Sequence, residues 1–179
     1  MRFWVGIIIP KKISKELFKL EKEISEKYKT FYNLNSKIGP HVTITFQGNV
    51  DGKDLNEIEA TVKEISRKVR PFKIKITGVK KFNKNNVIYA GVLKTRELKN
   101  LKKIFSYELK SFGGIRNIRS FTPHITLAFK DITKENFRRA FRELRHRKIS
   151  FEFKATRLYT GKAGPRDRIK VSKKFRLKV

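Results

Sequence analysis

The sequence contains no cysteine, so neither disulfides nor thiolate metal sites are available to it. Acidic residues are also scarce: there are 16, against 45 lysines and arginines. Long apolar runs are lacking as well. Residues 2–9 are apolar, but a membrane-spanning helix needs about 20 apolar residues, and no small-residue cleavage site follows them. We therefore expect a soluble, cytoplasmic protein in which residues 2–9 form a buried strand.

The formal net charge of +29 is the strongest compositional signal in the chain. Self-repulsion on this scale lowers stability, so a polyanionic partner is the expected context. Nucleic acid fits best, because lysines and arginines that neutralise phosphates release bound counterions. A membrane surface fits less well, since the predicted helices carry acidic residues and show no exposed aromatic anchors. Charge alone does not distinguish DNA from RNA.

Two of the three histidines occur in the same short phrase, Pro40–Phe46 (PHVTITF) and Pro123–Phe129 (PHITLAF). In both phrases apolar residues alternate with polar or small ones, which is typical of a half-buried strand. In the first strand, alternation puts His41, Thr43 and Thr45 on one face and Val42, Ile44 and Phe46 on the other. In the second, it puts His124, Thr126 and Ala128 on one face and Ile125, Leu127 and Phe129 on the other.

The surroundings of the two phrases predict a duplicated fold. A strand and an amphipathic helix precede each phrase, and another helix and further strands follow it. The predicted order is β-α-β-α-β, then β-α-β-α-β-β. We therefore expect one α+β domain over residues 1–179, a pseudo-symmetric duplication with two similar lobes. Each lobe would be a mainly antiparallel sheet backed by helices. If the lobes face one another, the two phrases line the groove between them.

Paired histidines and threonines suit phosphoryl chemistry. Imidazole can act as base in one copy and as acid in the other near neutral pH. Threonine hydroxyls can donate hydrogen bonds to phosphate oxygens on which charge accumulates. The alternative is structural: each histidine satisfies a strand end, and each threonine merely favours β-structure. Three histidines without a carboxylate pattern do not make a zinc motif, so we expect no metal and no cofactor.

The two phrases resemble the motifs of the 2H phosphoesterase family, and most closely its RNA 2′,3′-cyclic phosphodiesterase, or 2′-5′ RNA ligase, branch. Residues 39–48 (GPHVTITFQG) look like the first family motif, and residues 121–127 (FTPHITL) look like the second. Residues 85–89 and 158–159 also resemble family segments. The chain departs from the family at Phe129, where many members have arginine, and Lys130 follows it.

The resemblance implies metal-independent hydrolysis of RNA 2′,3′-cyclic phosphate ends to a 2′-phosphate. His41 and His124 would be catalytic, and Thr43 and Thr126 would bind the phosphate. The resemblance gives His124 the role of activating water and His41 that of protonating the leaving oxygen, with 2′-5′ ligation as the reverse reaction. We expect a monomer, with tRNA fragments among the candidate substrates. Two alternatives stand: a basic RNA-binding protein on this scaffold with little catalysis, and an enzyme for small cyclic nucleotides.

The remaining candidates are residues that could hold the RNA. The cations are Lys130, Lys162, Arg166 and Arg168, chosen because they follow the second phrase or lie in the loop at residues 161–167. The aromatic side chains that could stack a base are Tyr32, Phe121 and Tyr159. Each cation fits a solvated surface equally well, and each aromatic residue fits the core equally well.

Overall fold

A computed structural model describes residues 2–48, 50–112, 121–164 and 169–178. Over these residues the chain forms eight strands and four α-helices. In chain order they are β1 Arg2–Ile8, α1 Lys11–Tyr28, β2 His41–Gln47, α2 Leu55–Lys68, β3 Phe72–Phe82, β4 Val87–Val92, α3 Arg96–Glu108, β5 His124–Ala128, α4 Lys134–Leu144, β6 Ser150–Ala155, β7 Arg157–Ala163 and β8 Ile169–Arg176.

The strands form two four-stranded sheets, with orders β2-β1-β7-β8 and β5-β4-β3-β6. Every pairing is antiparallel, including that of the consecutive strands β3 and β4. The α+β class and the two antiparallel sheets are therefore as predicted. The two sheets do not correspond to the two halves of the sequence, however. Strand β3 comes from the first half but lies in the second sheet, and β7 comes from the second half but lies in the first sheet. Strands β2 and β5 contain the His-x-Thr residues of the two repeated phrases and are called the His-x-Thr strands below. Each lies at one edge of its own sheet.

Two of the helices contact strands that are distant from them in the sequence. Helix α1 contacts β5, and α3 contacts β2. Each His-x-Thr strand is therefore backed by a helix from the other half of the sequence. Helix α3 is capped at its start by Thr95, whose hydroxyl accepts a hydrogen bond from the Leu98 amide at 3.3 Å. No helix in the described ranges is both long enough and apolar enough to cross a membrane.

A β-bulge in the first His-x-Thr strand corrects the predicted alternation. The register between β1 and β2 shifts by one residue at Ile44. An extra residue in one strand reverses the facing of every residue beyond it. Thr45 consequently lies on the core face and is 3% exposed. Phe46 lies on the open face, where the guanidinium of Arg2 sits 5.6 Å from its ring centre. The predicted facing was thus wrong for Thr45 and Phe46.

The second His-x-Thr strand has the same bulge at the equivalent residue, Leu127. Ala128 is fully buried in the core, and Phe129 is only half-buried. The predicted facing was therefore wrong for these two residues as well. The bulge is part of the duplicated unit, and it puts an aromatic side chain on the open face beside each His-x-Thr pair.

Candidate active site

The two histidines begin β2 and β5, one edge strand of each sheet, and these two strands contact each other across the boundary between the sheets. His41 is the first residue of β2 and His124 the first residue of β5. Both rings are half-buried. Burial lowers the pKa of His41, and the charge of His124 lowers it further, so the two imidazoles share one electrostatic environment.

Main-chain carbonyl groups set the tautomer of both imidazoles. His41 Nδ1 lies 2.9 Å from the carbonyl oxygen of Gly39, and His124 Nδ1 lies 2.8 Å from that of Thr122. A carbonyl oxygen can only accept, so each Nδ1 carries the proton and donates it. Each neutral ring is then left with Nε2 as its proton acceptor. Both histidines are therefore held in the form that a general base needs.

Desolvation governs the proton affinity of both rings. It lowers the pKa of His41 to about 4, and the hydrogen bond to Gly39 offsets this only in part. Desolvation also lowers the pKa of His124, against the opposing effect of the Thr122 carbonyl. Both rings are thus neutral near pH 7 without a ligand. A bound phosphate, being negative, would raise both pKa values again.

Thr43 is oriented by the single tryptophan of the chain. The indole Nε1 of Trp4 donates a hydrogen bond to Thr43 Oγ1 over 3.0 Å. The threonine oxygen accepts this bond, so its own proton remains available for another acceptor. The same indole meets the ring of His41 edge-on, with the ring centres 5.3 Å apart. Trp4 is fully buried, and it therefore fixes both functional groups of the first strand.

Gly6 makes room for this indole. It pairs with Thr43 across β1 and β2, and a Cβ atom there would lie 2.2 Å from the Trp4 ring and 2.6 Å from the Val42 carbonyl oxygen. Real Cβ atoms essentially never come so close to other heavy atoms. Only glycine at this position leaves room for the indole.

The second strand is supported by different residues. The side-chain amide of Asn33 donates to the main-chain carbonyl of Thr126 over 2.6 Å, just before the bulge. The ring of His124 contacts two aromatic rings, those of Phe82 at 5.0 Å and Tyr89 at 5.2 Å between centres. These two rings stack on each other at 4.3 Å. The two His-x-Thr strands are thus equivalent in backbone but not in surroundings.

Tyr32, Phe129 and Lys130 form an aromatic platform at the end of β5. The Tyr32 and Phe129 rings meet edge-on at 5.9 Å, and Lys130 Nζ lies 4.9 Å from the centre of the Tyr32 ring. Asp131 holds the platform together, because its carboxylate accepts hydrogen bonds from the Phe31 and Tyr32 amides at 2.7 and 2.9 Å. Two predicted RNA-contact residues, Tyr32 and Lys130, therefore lie together beside the second His-x-Thr strand.

The other predicted contacts are distributed differently. Tyr159 pairs with Gly6 and is half-buried on the face that carries Thr43. Lys162 is exposed and alternates with Gly161, so its side chain is on the opposite face of that sheet. Phe121 packs against the hydrophobic core. Arg166 and Arg168 lie outside the described residues.

A buried ionisable residue lies behind each His-x-Thr strand, at matching places on α1 and α3. Glu21 is 2% exposed, and burial raises its pKa to about 8, partly offset by a hydrogen bond from the Asn33 side chain. Lys102 is 7% exposed, its Nζ lies 3.4 Å from Thr45 Oγ1, and burial lowers its pKa. Among the described residues no three histidine, aspartate or glutamate side chains gather as a metal site. The two His-x-Thr strands present imidazole and hydroxyl groups on their open faces, whereas Glu21 and Lys102 lie on the core side.

Sequence reasoning missed the residues that hold these groups in place. The sequence places Trp4 only within a predicted buried strand and gives no role to Asn33. The one available signal was Trp4 itself, a lone tryptophan that alternates with Gly6 on the strand before the first phrase. Nothing in the sequence near Asn33 indicates that it reaches Thr126, which is remote in the chain.

Comparison with known proteins then decides the family. A sequence model of the 2′-5′ RNA ligase superfamily matches residues 11–163, most of the chain and both His-x-Thr strands. The chain belongs to this superfamily. The predicted 2H phosphoesterase resemblance is therefore confirmed.

Individual relatives agree with this placement in the superfamily. The chain is 34% identical to a putative phosphoesterase of Staphylococcus epidermidis over 64% of its own length and 66% of that protein. It is 29% identical to an RNA 2′,3′-cyclic phosphodiesterase of Methanocaldococcus jannaschii, over 71% of this chain and 70% of that protein. The Escherichia coli LigT crystal structure in its apo form superposes with a TM-score of 0.70, at 18% identity, over 99% of this chain and 98% of LigT. This last similarity establishes the fold.

Proposed function

We propose that this protein hydrolyses the 2′,3′-cyclic phosphate at the end of an RNA to a 2′-phosphate, without a metal ion. The observation that carries the proposal is the pair of imidazoles on touching edge strands, each with Nδ1 bound to a main-chain carbonyl and Nε2 left as the acceptor. A histidine that only satisfied a strand end would not require a second histidine with the same main-chain hydrogen bond on a contacting strand. The superfamily's curated members with this named activity support the substrate class.

The reaction requires one base and one acid on opposite sides of the phosphorus. One imidazole accepts a proton from water at Nε2, and the water oxygen forms a bond to phosphorus. The bond from phosphorus to O3′ breaks, and the second imidazole, as imidazolium, gives its proton to O3′. The phosphate remains on O2′. The Thr43 and Thr126 hydroxyls would donate to the two non-bridging oxygens as their charge increases.

The imidazole that acts as acid must be protonated when the substrate is bound, and the substrate itself favours this protonation. In the free protein the pKa of His41 is about 4, which leaves that ring almost entirely neutral at pH 7. The bound phosphate is the group that would raise it. The assignment of His124 as base and His41 as acid rests on family resemblance and stays a prediction. Because one imidazole must be deprotonated to act as base and the other protonated to act as acid, the rate should depend on pH with a bell-shaped profile.

The aromatic platform supplies a place for the terminal nucleotide. A nucleobase can stack on Tyr32 or Phe129, and Lys130 provides a positive charge beside them. Phe129 takes the position at which the resemblance places arginine in many family members, so an aromatic ring replaces a cation at this point of the site. The large net charge of +29 favours a long RNA over a small nucleotide as substrate.

Replacing each histidine tests the proposal against a binding-only protein. The variants His41→Ala and His124→Ala should each lose turnover of a cyclic-phosphate RNA by about 10²-fold or more, since each removes one proton-transfer group. RNA affinity should fall far less than turnover, because the excess of lysine and arginine over acidic residues supplies most of the attraction for phosphates. Turnover unaffected by both changes would contradict the proposal and favour the binding-only alternative.

A further inference from the structure

A groove lies beside His41, between the first two turns of α1 and the segment that leads into β2. It has a volume of about 370 Å³, which is within the range of small ligand pockets. Gly39 and Pro40 form one wall. Because Gly39 also accepts the Nδ1 hydrogen bond of His41, this wall is shared by the groove and the candidate active site.

The opposite wall carries one aromatic ring among lysines. Lys11, Lys15 and Lys19 recur every four residues along α1, and Phe18 lies on the same face. Phe18 is 44% exposed, although a phenylalanine on an amphipathic helix usually faces the core. Lys19 forms an ion pair with Glu16 at 2.9 Å, whereas Lys11 and Lys15 are exposed at the mouth of the groove.

We propose that this groove binds a second nucleotide of the RNA strand, adjacent to the nucleotide that bears the cyclic phosphate, with its base on Phe18 and its phosphate between Lys11 and Lys15. This inference rests on the proposed function of the neighbouring site. It adds a preference for oligonucleotides over cyclic mononucleotides, which nothing in the His-x-Thr pair itself provides.

The chemistry of the groove matches a nucleotide better than other occupants. An exposed aromatic ring flanked by cations is the arrangement by which proteins hold single-stranded nucleic acid without reading its sequence. A purely apolar partner would leave the lysines desolvated without counter-charges, which is costly. The first ten residues of the helical region, 10–19, include four lysines and one glutamate, so the local field attracts an anion.

The test compares substrates of two lengths. The substrates are a 2′,3′-cyclic mononucleotide and a trinucleotide ending in the same cyclic phosphate, with kcat and KM measured for each. In Phe18→Ala we expect the trinucleotide KM to rise by about 5-fold or more, as for loss of one base stack, and the mononucleotide constants to stay unchanged. Phe18→Leu should behave like Phe18→Ala, because leucine keeps apolar volume but has no ring. Tyr107→Ala, at a 77% exposed aromatic residue on α3, is the matched control and should change neither substrate.

The charge contribution is measured separately from activity. Binding of a fluorescent trinucleotide that ends in a 2′-phosphate is followed by anisotropy at increasing salt. In Lys11→Ala/Lys15→Ala the slope of log affinity against log salt should become shallower by about 0.7 for each phosphate that the lysines no longer neutralise. The matched control, Lys63→Ala/Lys68→Ala on α2, removes the same charge from exposed sites and should leave the slope unchanged.

The outcomes separate this inference from the function on which it rests. If the Phe18 variants affect both substrate lengths equally, or neither, the groove is not a nucleotide subsite. If the lysine pair and its control lower the slope equally, the groove charges have no specific role, and the inference is overturned. If the protein turns over no cyclic phosphate but the groove variants alone weaken trinucleotide binding, the subsite stands and the proposed reaction fails.

Discussion

Replacing Trp4 by phenylalanine tests whether the indole orients the phosphate-binding hydroxyl. Phenylalanine keeps an aromatic ring in the space beside Gly6 but removes the Nε1–H that donates to Thr43 Oγ1 at 3.0 Å. A hydrogen bond between neutral groups contributes about 0.5–1.5 kcal/mol net. If all of that energy serves to orient Thr43, kcat/KM for a cyclic-phosphate RNA falls by about 2- to 13-fold.

The Thr43→Val variant shows how large the loss of turnover becomes when the hydroxyl itself is absent. It removes the hydroxyl itself, and loss of one donor to a developing oxyanion costs about 10²- to 10³-fold in turnover. Because Trp4 acts through Thr43, the double variant should be no slower than Thr43→Val alone. The initial rate at substrate concentrations below KM is measured for the unmodified protein, the two single variants and the double variant, which together form a double-mutant cycle. Thermal unfolding of each variant checks that it is folded.

Two results would refute this reasoning. A Trp4→Phe protein with full activity would mean that Thr43 needs no external orientation. Equal fold losses from Trp4→Phe in the presence and absence of the Thr43 hydroxyl would mean that the indole acts by some other route, such as its edge-on contact with His41.

Three further predictions concern the site and its supports. Gly6→Ala should destabilise the fold by about 2 kcal/mol or more in denaturant unfolding, because its Cβ would lie 2.2 Å from the indole ring, whereas Gly48→Ala, with nothing within 4 Å, should be close to neutral. For Glu21, the folded state keeps its proton up to about pH 8 and the unfolded state loses it near 4.5, so the unfolding free energy should fall as pH rises through that window. Glu21→Gln should abolish this loss, on the order of a few kcal/mol, whereas Glu26→Gln at an exposed ion pair should not; identical pH profiles for Glu21→Gln and the unmodified protein would contradict the burial argument. Imidazole NMR titration should give His41 a pKa of about 4 in the free protein and a higher one with a bound nucleotide 2′-phosphate, and an ordinary value near 6.5 in the free protein would disprove its desolvation.

Local patterns were sufficient to predict most of the secondary structure. Apolar residues recurring at helical spacing predicted the helices before and after each phrase, which the structure shows as α1, α2, α3 and α4. The repeated phrase located both edge strands and the residues that begin them. These features depend on interactions within a few residues of each other, which a sequence displays directly.

The bulges and the exchange of strands could not be predicted in this way. Alternation continues unbroken through both phrases, so nothing local shows that Ile44 and Leu127 are extra residues in their ladders. The bulge depends on pairing with β1 and β4, which are far away in the chain. The same holds for Asn33, whose hydrogen bond to Thr126 exists only because α1 packs on β5.

The central claim is that the two imidazoles act together on one phosphorus. The most direct test incubates the protein, in the presence of a metal chelator, with an RNA ending in a 2′,3′-cyclic phosphate and identifies the position of the product phosphate. Our account predicts a 2′-phosphate at an undiminished rate, and formation slower by about 10²-fold or more with His41→Ala or His124→Ala. An intact cyclic phosphate, a 3′-phosphate product, or a single-histidine variant as fast as the unmodified protein would contradict it.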